Sequence, residues 1–135
     1  MNRREVLTRL SGFVALAALR PSDLRTLAAK PFEHPEPRPG ITADHVLADT
    51  ELPKNKMKVH DAYSAARAHP ELFDGLYCAC DCREAMGHRS LLSCYESKQP
   101  QGCLACQEQA WLVADLAKQG KSLAEIRAAV DKKFG

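Results

Sequence analysis

The 135-residue sequence lacks a hydrophobic run long enough to cross a bilayer. A spanning helix takes about 20 apolar residues, and the modest apolar stretch at residues 10–19 falls well short of that. No stable membrane span is therefore expected in a mature form. A surplus of basic charge is missing too. The chain carries a net +2, but its first 28 residues hold five Arg against Glu5 and Asp23, so the remainder sits near −1. A nearly neutral domain has no basic footprint for a phosphate backbone, which argues against nucleic acid as a partner. There is no glycine-rich phosphate loop and no internal repeat of useful length. No Ser/His/Asp arrangement or paired-carboxylate site supports hydrolysis. With 45% hydrophobic and 27% charged residues, the chain suits one compact domain with appendages.

What is present begins with an export pattern. Residues 1–28 combine Arg3-Arg4, followed at the right distance by Val6 and Leu7, with the apolar stretch and a small-x-small site at Thr26-Leu27-Ala28. This predicts a twin-arginine-like signal peptide and a periplasmic or other extracytoplasmic destination. Residues 29–58 follow as a Pro-rich tether and irregular segment. Four prolines in residues 31–40 fix the backbone and remove amide donors. Residues 41–58 show scattered apolar positions and no sustained period, which predicts loops with one short helical turn.

Residues 59–135 read as a Cys-rich helical domain. Val59, Ala62, Tyr63, Ala65 and Ala66 form a helical stripe that must stop near His69-Pro70. A short second helix is predicted over residues 88–95, after a hinge at Gly87, with Leu91, Leu92 and Cys94 facing inward. A third, over residues 103–118, presents Cys103, Cys106, Ala110, Val113 and Leu116 or Ala117 at three- and four-residue steps, with Gly120 placed to end it. Ser122 and Glu125 spell a capping box, and Leu123, Ile126, Val130 and Phe134 make a clear apolar stripe. The predicted fold is all-α: a small helical domain with an extended Cys-rich segment and a C-terminal helical hairpin.

All six cysteines lie within residues 78–106, as Cys78-x-Cys80-x-Cys82, then Cys94, then Cys103-x-x-Cys106, with His88 midway between Cys82 and Cys94. Three chemistries compete for this cluster. Three disulfides would staple a small exported domain, although cysteines two apart in an extended strand sit about 6–7 Å from one another and pair poorly. A metal site uses the same spacing positively, because alternate cysteines converge on one centre while a Cys-x-x-Cys at a helix start adds two thiolates. Thiolates select soft ions, Cu(I) first and zinc as the alternative. Six cysteines plus His88 exceed one tetrahedral site, which suggests bridged Cu(I) ions or one zinc beside a separate pair. Cys103 and Cys106 alone could instead be a dithiol that exchanges with partner disulfides.

The residues that carry these features also carry a resemblance. Ala62-Tyr63, Pro70-Glu71, the Cys78–Cys82 triplet, Gly87-His88-Arg89-Ser90-Leu91-Leu92-Ser93-Cys94, Gly102-Cys103-Leu104-Ala105-Cys106, and the tail from Gly120-Lys121-Ser122 to Phe134 resemble the PCYCGC-motif (CYCxC) family of exported bacterial proteins. Tyr77, Ala79 and Asp81 stand where the family name has Pro, Tyr and Gly. The resemblance implies no established activity. Residues 103–135 are also similar to thiol reductases of bacterial cytochrome c maturation, which pair a Cys-x-x-Cys-Gln with a helical hairpin; Gln101-Gly102 replaces their Leu-Arg before the first Cys.

The candidate metal ligands are thus Cys78, Cys80, Cys82, His88, Cys94, Cys103 and Cys106. His88 reads equally as a ligand and as a helix cap or surface imidazole. His34, His45, His60 and His69 are expected in solvent, and Trp111 in the core. Tyr77 and Tyr95 flank cysteines and could shield the site, and Asp81 and Glu84 are carboxylates that could support it from behind the ligands or lie on the surface. The expected function is exported thiolate metal binding, with a soft metal ion and a metal-transfer or redox protein as partners. The alternatives are a periplasmic thiol-disulfide reductase using Cys103 and Cys106, and a disulfide-stapled interaction module.

Overall fold

The computed structural model describes residues 33–80 and 82–135, without the side chains of Cys82 and Arg83. The expected signal peptide lies outside the described residues. Those described form helices joined by turns, with no strand among them. Helix α1, Met57–Ala68, buries Val59, Ala62, Tyr63, Ala65 and Ala66, the stripe read from the sequence. It ends before Pro70, which disfavours helical geometry in the residue ahead of it. Pro70 then occupies the first turn of α2, Pro70–Asp74, where its missing amide hydrogen has no partner to lose. The sequence did not announce α2 or α3, Cys82–Met86. Five residues are too few to display a helical period.

Helix α4, Leu91–Tyr95, is capped by Ser90, whose Oγ accepts from the Ser93 N–H at 3.3 Å. Helix α5, Leu104–Lys118, begins at Cys103. It stops because Gly120 turns left-handed at φ 73°, allowing Gly120 N–H to reach Ala117 O at 3.0 Å and Lys121 N–H to reach Leu116 O at 3.1 Å. This double bond pattern satisfies carbonyls that the helix end would otherwise orphan. Helix α6, Leu123–Phe134, carries the predicted capping box in full. Two 3-10 turns, Asp49–Glu51 and Gln99–Gly102, complete the helical pieces.

Helix α1 lies along α5, α2 packs on α4, and α6 closes against α5 as the C-terminal helical pair. The core centres on three rings. Tyr95 meets Tyr63 edge-on at 4.8 Å and Phe73 edge-on at 5.5 Å. All three are fully buried, and burying such a side chain contributes roughly 1.5–3 kcal/mol. Their hydroxyls are not stranded: Tyr63 donates to Ser97 O and Tyr95 to Cys106 O, both at 2.6 Å. Ile126 and Val130 of α6 are buried, while Leu123 is partly covered. Trp111 is also only partly buried, sitting at the core's edge with its Nε1–H on Lys58 O at 3.1 Å.

Residues 33–40 run without helix, as their three prolines dictate, and they are fastened to the helices. The Arg38 backbone N–H and guanidinium both hold Asp74 at 2.8 Å, and Arg127 donates to Pro35 O at 2.7 Å. Gly75 makes room for this strap, since a Cβ there would meet Leu123 Cδ2 at 2.8 Å and Pro37 Cγ at 2.9 Å. His34 corrects the expectation of a solvated imidazole. Its side chain is 7% exposed and lies 2.9 Å from Asp131, while its Nδ1 accepts from the Tyr77 N–H at 3.2 Å. His45 is exposed; His60 and His69 are half-buried. No described helix is long and apolar enough to cross a membrane.

Candidate metal centre

Three elements bring sulfur together. The non-helical segment after α2 supplies Cys78 and Cys80, α4 supplies Cys94, and the start of α5 supplies Cys103 and Cys106. The chain bends at residues 79 and 80, so Cys78 and Cys80 approach to 3.3 Å between sulfurs instead of standing apart as in a strand. Cys82 has already entered α3, which ends the extended geometry expected of the whole triplet. Cys106 Sγ lies 3.4 Å from both Cys78 Sγ and Cys80 Sγ. These three sulfurs form a triangle that could hold a metal ion. A tetrahedral zinc with bonds of about 2.3 Å separates its sulfurs by about 3.8 Å, so metal entry asks each sulfur to move outward by a few tenths of an ångström.

The remaining predicted ligands attach to this triangle unequally. Cys103 Sγ is 2.9 Å from Cys106 Sγ and accepts the Cys106 backbone N–H at 3.4 Å, as the helix cap. Cys94 is fully buried and interacts with Cys78 and Cys106. His88 meets the centre at Cys94, with Nδ1 3.1 Å from its sulfur. It does not cap α4, because Ser90 does. Cys103 and Cys106 are free thiols, whereas Cys80 is disulfide-bonded. Glu84 is exposed, and Asp81 lies outside the described residues.

Protons are shared unevenly in this cluster. The Cys78 thiol is held well below its ordinary range because it accepts hydrogen bonds from Cys106 and Cys94, which outweigh its burial. The Cys80 backbone N–H and the nearby His88 add to the effect. Cys106, donating to Cys78 and Cys94 in a buried setting, is pushed far up. Cys94 is drawn down by Cys106 but more strongly raised by Cys78 and burial. One thiolate at Cys78, supported by thiol donors, is a form of sulfur that binds soft metal.

A residue with no sulfur fixes the centre. Gln109, fully buried on α5, donates from Nε2 to Tyr77 O at 2.6 Å and accepts the Ala79 N–H on Oε1 at 3.0 Å. Its amide therefore grips the backbone on both sides of Cys78, as a neighbouring strand would. Sequence reasoning passed over Gln109. Its one signal was its place three residues after Cys106, on the inward face of the same helix. Tyr77 and Tyr95 are both buried beside the cysteines.

The family described as "Protein of unknown function with PCYCGC motif" matches residues 41–135, more than half of the sequence. The chain belongs to this family. No curated protein and no solved structure matches it. The PCYCGC-motif match takes in every cysteine of the centre, along with His88 and Gln109. Ala79, where the family name has Tyr, sits in the bend that closes the sulfur triangle.

Proposed function

We propose that this chain is an exported thiolate metal-binding protein that takes Cu(I), for storage, delivery or detoxification. The observation that carries the reading is the triangle of Cys78, Cys80 and Cys106 sulfurs at 3.3–3.4 Å, with Cys103 and Cys94 in contact with it. With Cys80 reduced, the centre is a sulfur-only set of thiols, which selects soft ions. More sulfurs meet here than the four ligands one tetrahedral zinc takes, which favours thiolates that bridge two or more Cu(I) ions. Export by a twin-arginine route would let a folded, loaded protein reach an oxidising compartment.

The test is an anaerobic titration of the fully reduced protein against a competing Cu(I) chelator, repeated with zinc. More than one Cu(I) equivalent bound, and Cu(I) preferred to zinc, is the expected result. If neither metal competes while all six thiols are free, the reading fails. Intact mass of protein from its native compartment tests the export half, with cleavage near Ala28 expected and retention of Arg3-Arg4 opposing it.

A second reading, thiol-disulfide exchange with a partner at Cys103 and Cys106, is favoured by their 2.9 Å sulfur separation and by the partial exposure of Cys103 beside the fully buried Cys106. Replacing only these two residues should abolish exchange. Loss of metal stoichiometry after changing Cys78 or Cys80 as well would point back to the metal centre.

A further inference from the structure

The backbone that carries Cys78 into the centre is held one peptide plane at a time. The plane between Leu76 and Tyr77 is bonded at both ends: Leu76 O accepts from the Leu91 N–H at 2.8 Å, and the Tyr77 N–H donates to His34 Nδ1 at 3.2 Å. The two planes on either side of Cys78 are held by Gln109, through Tyr77 O and the Ala79 N–H. Helices α4 and α5 supply two of these grips. The strap supplies the third, and His34 lies ahead of residues 41–135, the stretch that the family match covers.

His34 is set up for that contact. Its side chain is 7% exposed, and its Nε2 lies 2.9 Å from Asp131 Oδ1 on α6. A ring nitrogen that accepts from a backbone N–H carries no hydrogen of its own, so the imidazole hydrogen sits on Nε2 and is donated to Asp131. The Tyr77 ring meets the imidazole edge-on, with centroids 6.3 Å apart. Arg127 on Pro35 O and Arg38 on Asp74 fasten the strap just beyond His34, so the ring is presented from a fixed backbone.

We infer that His34 is a positioning residue of the sulfur centre: through the Tyr77 N–H it sets the Cys78 segment in the arrangement that receives a metal ion. The inference rests on the metal-binding reading and adds to it a residue outside the ligand set. Rotation of the Leu76–Tyr77 plane swings the chain that follows, and with it Cys78 Sγ, which stands 3.3 Å from Cys80 Sγ and 3.4 Å from Cys106 Sγ. Metal–ligand distances tolerate displacements of only about 0.2 Å, so slack at Tyr77 is felt at the sulfur. The rival role is purely structural, with His34 tying the strap to α6 through Asp131.

Two substitutions separate these roles. Asn carries an acceptor oxygen two bonds from Cβ, where Nδ1 stands, and Gln carries an amide nitrogen three bonds out, where Nε2 stands. His34→Asn therefore keeps the hold on Tyr77 and gives up Asp131, and His34→Gln does the reverse. Amide hydrogen exchange, followed by NMR on the reduced, metal-free full chain, reads the hold itself. Exchange at Tyr77 should be about 10-fold faster in His34→Gln and close to the wild type in His34→Asn. Competition against a Cu(I) chelator reads the consequence: affinity should fall by roughly 10–100-fold in His34→Gln and be restored in His34→Asn. A purely structural His34 gives the opposite order, because His34→Gln keeps the bond to Asp131. That order, or equal effects of the two variants, overturns the inference. Should the variants fail to fold, nitrogen NMR of the isotope-labelled wild type decides, with the ring hydrogen expected on Nε2 and Nδ1 coupled across the hydrogen bond to the Tyr77 amide; a hydrogen on Nδ1 overturns the inference. A wild type that binds no Cu(I), while Tyr77 exchange separates the variants as expected, sinks the copper reading and leaves the hold on the Cys78 segment standing. Cu(I) bound equally well by all three proteins sinks the inference and leaves the copper reading standing.

Discussion

A cysteine two positions from another does not make a site until something fixes the backbone between them. Here Gln109 does so, by satisfying Tyr77 O and Ala79 N–H with one amide. Removing that amide takes this hydrogen bond from a buried carbonyl and from a part-buried N–H, at a cost of about 1–3 kcal/mol. Gln109→Leu, close in size, should therefore lower stability by that amount in urea unfolding of the reduced protein. If Cu(I) binds at Cys78, affinity should also fall by roughly 10–100-fold, the usual effect of losing a group that orients ligands. A Gln109→Leu protein with unchanged stability would show that the grip on Cys78 is incidental. The sequence could mark the cysteines, because their density was abnormal, but it could not mark Gln109. A glutamine in a helix is ordinarily a solvated residue, and the folded-back segment at Cys78 gives it backbone partners 30 and 32 residues away.

The elements divide by length into those that were legible and those that were not. Helices α1, α5 and α6 each run for 12 or more residues, enough for the apolar positions to repeat and for caps to mark the ends. Helix α6 is the clearest: Ser122 Oγ accepts the Glu125 N–H at 3.3 Å, and Glu125 accepts the Ser122 N–H at 2.7 Å. Ser122→Ala removes the first of these and should destabilise the protein by about 0.5–2 kcal/mol, with Ser122→Gly closer to the wild type. Thermal unfolding followed by circular dichroism measures this, and an unchanged midpoint for the alanine variant would mean that α6 is held by Ile126 and Val130 alone. Helices α2 and α3 offered no such handle. Each is a single short turn-and-a-half whose presence depends on what it packs against rather than on its own pattern.

At the scale of the whole molecule, contacts between distant residues decide what composition does not encode. Residues 31–40 look like a linker because proline and charge dominate, yet those described, residues 33–40, are tied to the helices. Their attachments are polar contacts across large sequence separations, up to 97 residues for His34 and Asp131, and no local pattern encodes such contacts. Asp74 is the main anchor. Fully buried at the end of α2, it accepts from Arg38 backbone and side chain, from Arg89 at 3.0 Å and from Ser90 Oγ at 3.0 Å. It thereby ties the strap, α2 and the start of α4 to one carboxylate. Burial alone would raise its pKa, but the hydrogen bonds from Arg38 and Ser90 outweigh that and hold it below the ordinary carboxylate range. A carboxyl depressed in the folded state binds fewer protons there than when unfolded, so its contribution is in full force above the unfolded pKa of about 3.9. It is lost as pH falls from there through the folded value. The wild type should accordingly lose stability below about pH 4, and Asp74→Asn, which cannot titrate, should be less stable at neutral pH but show a shallower loss on acidification. Urea midpoints measured from pH 7 to pH 2.5 in both proteins check this. Parallel curves would mean that other carboxylates, such as Asp49 beside Arg67, govern the acid response and that Asp74 is not the anchor of the strap.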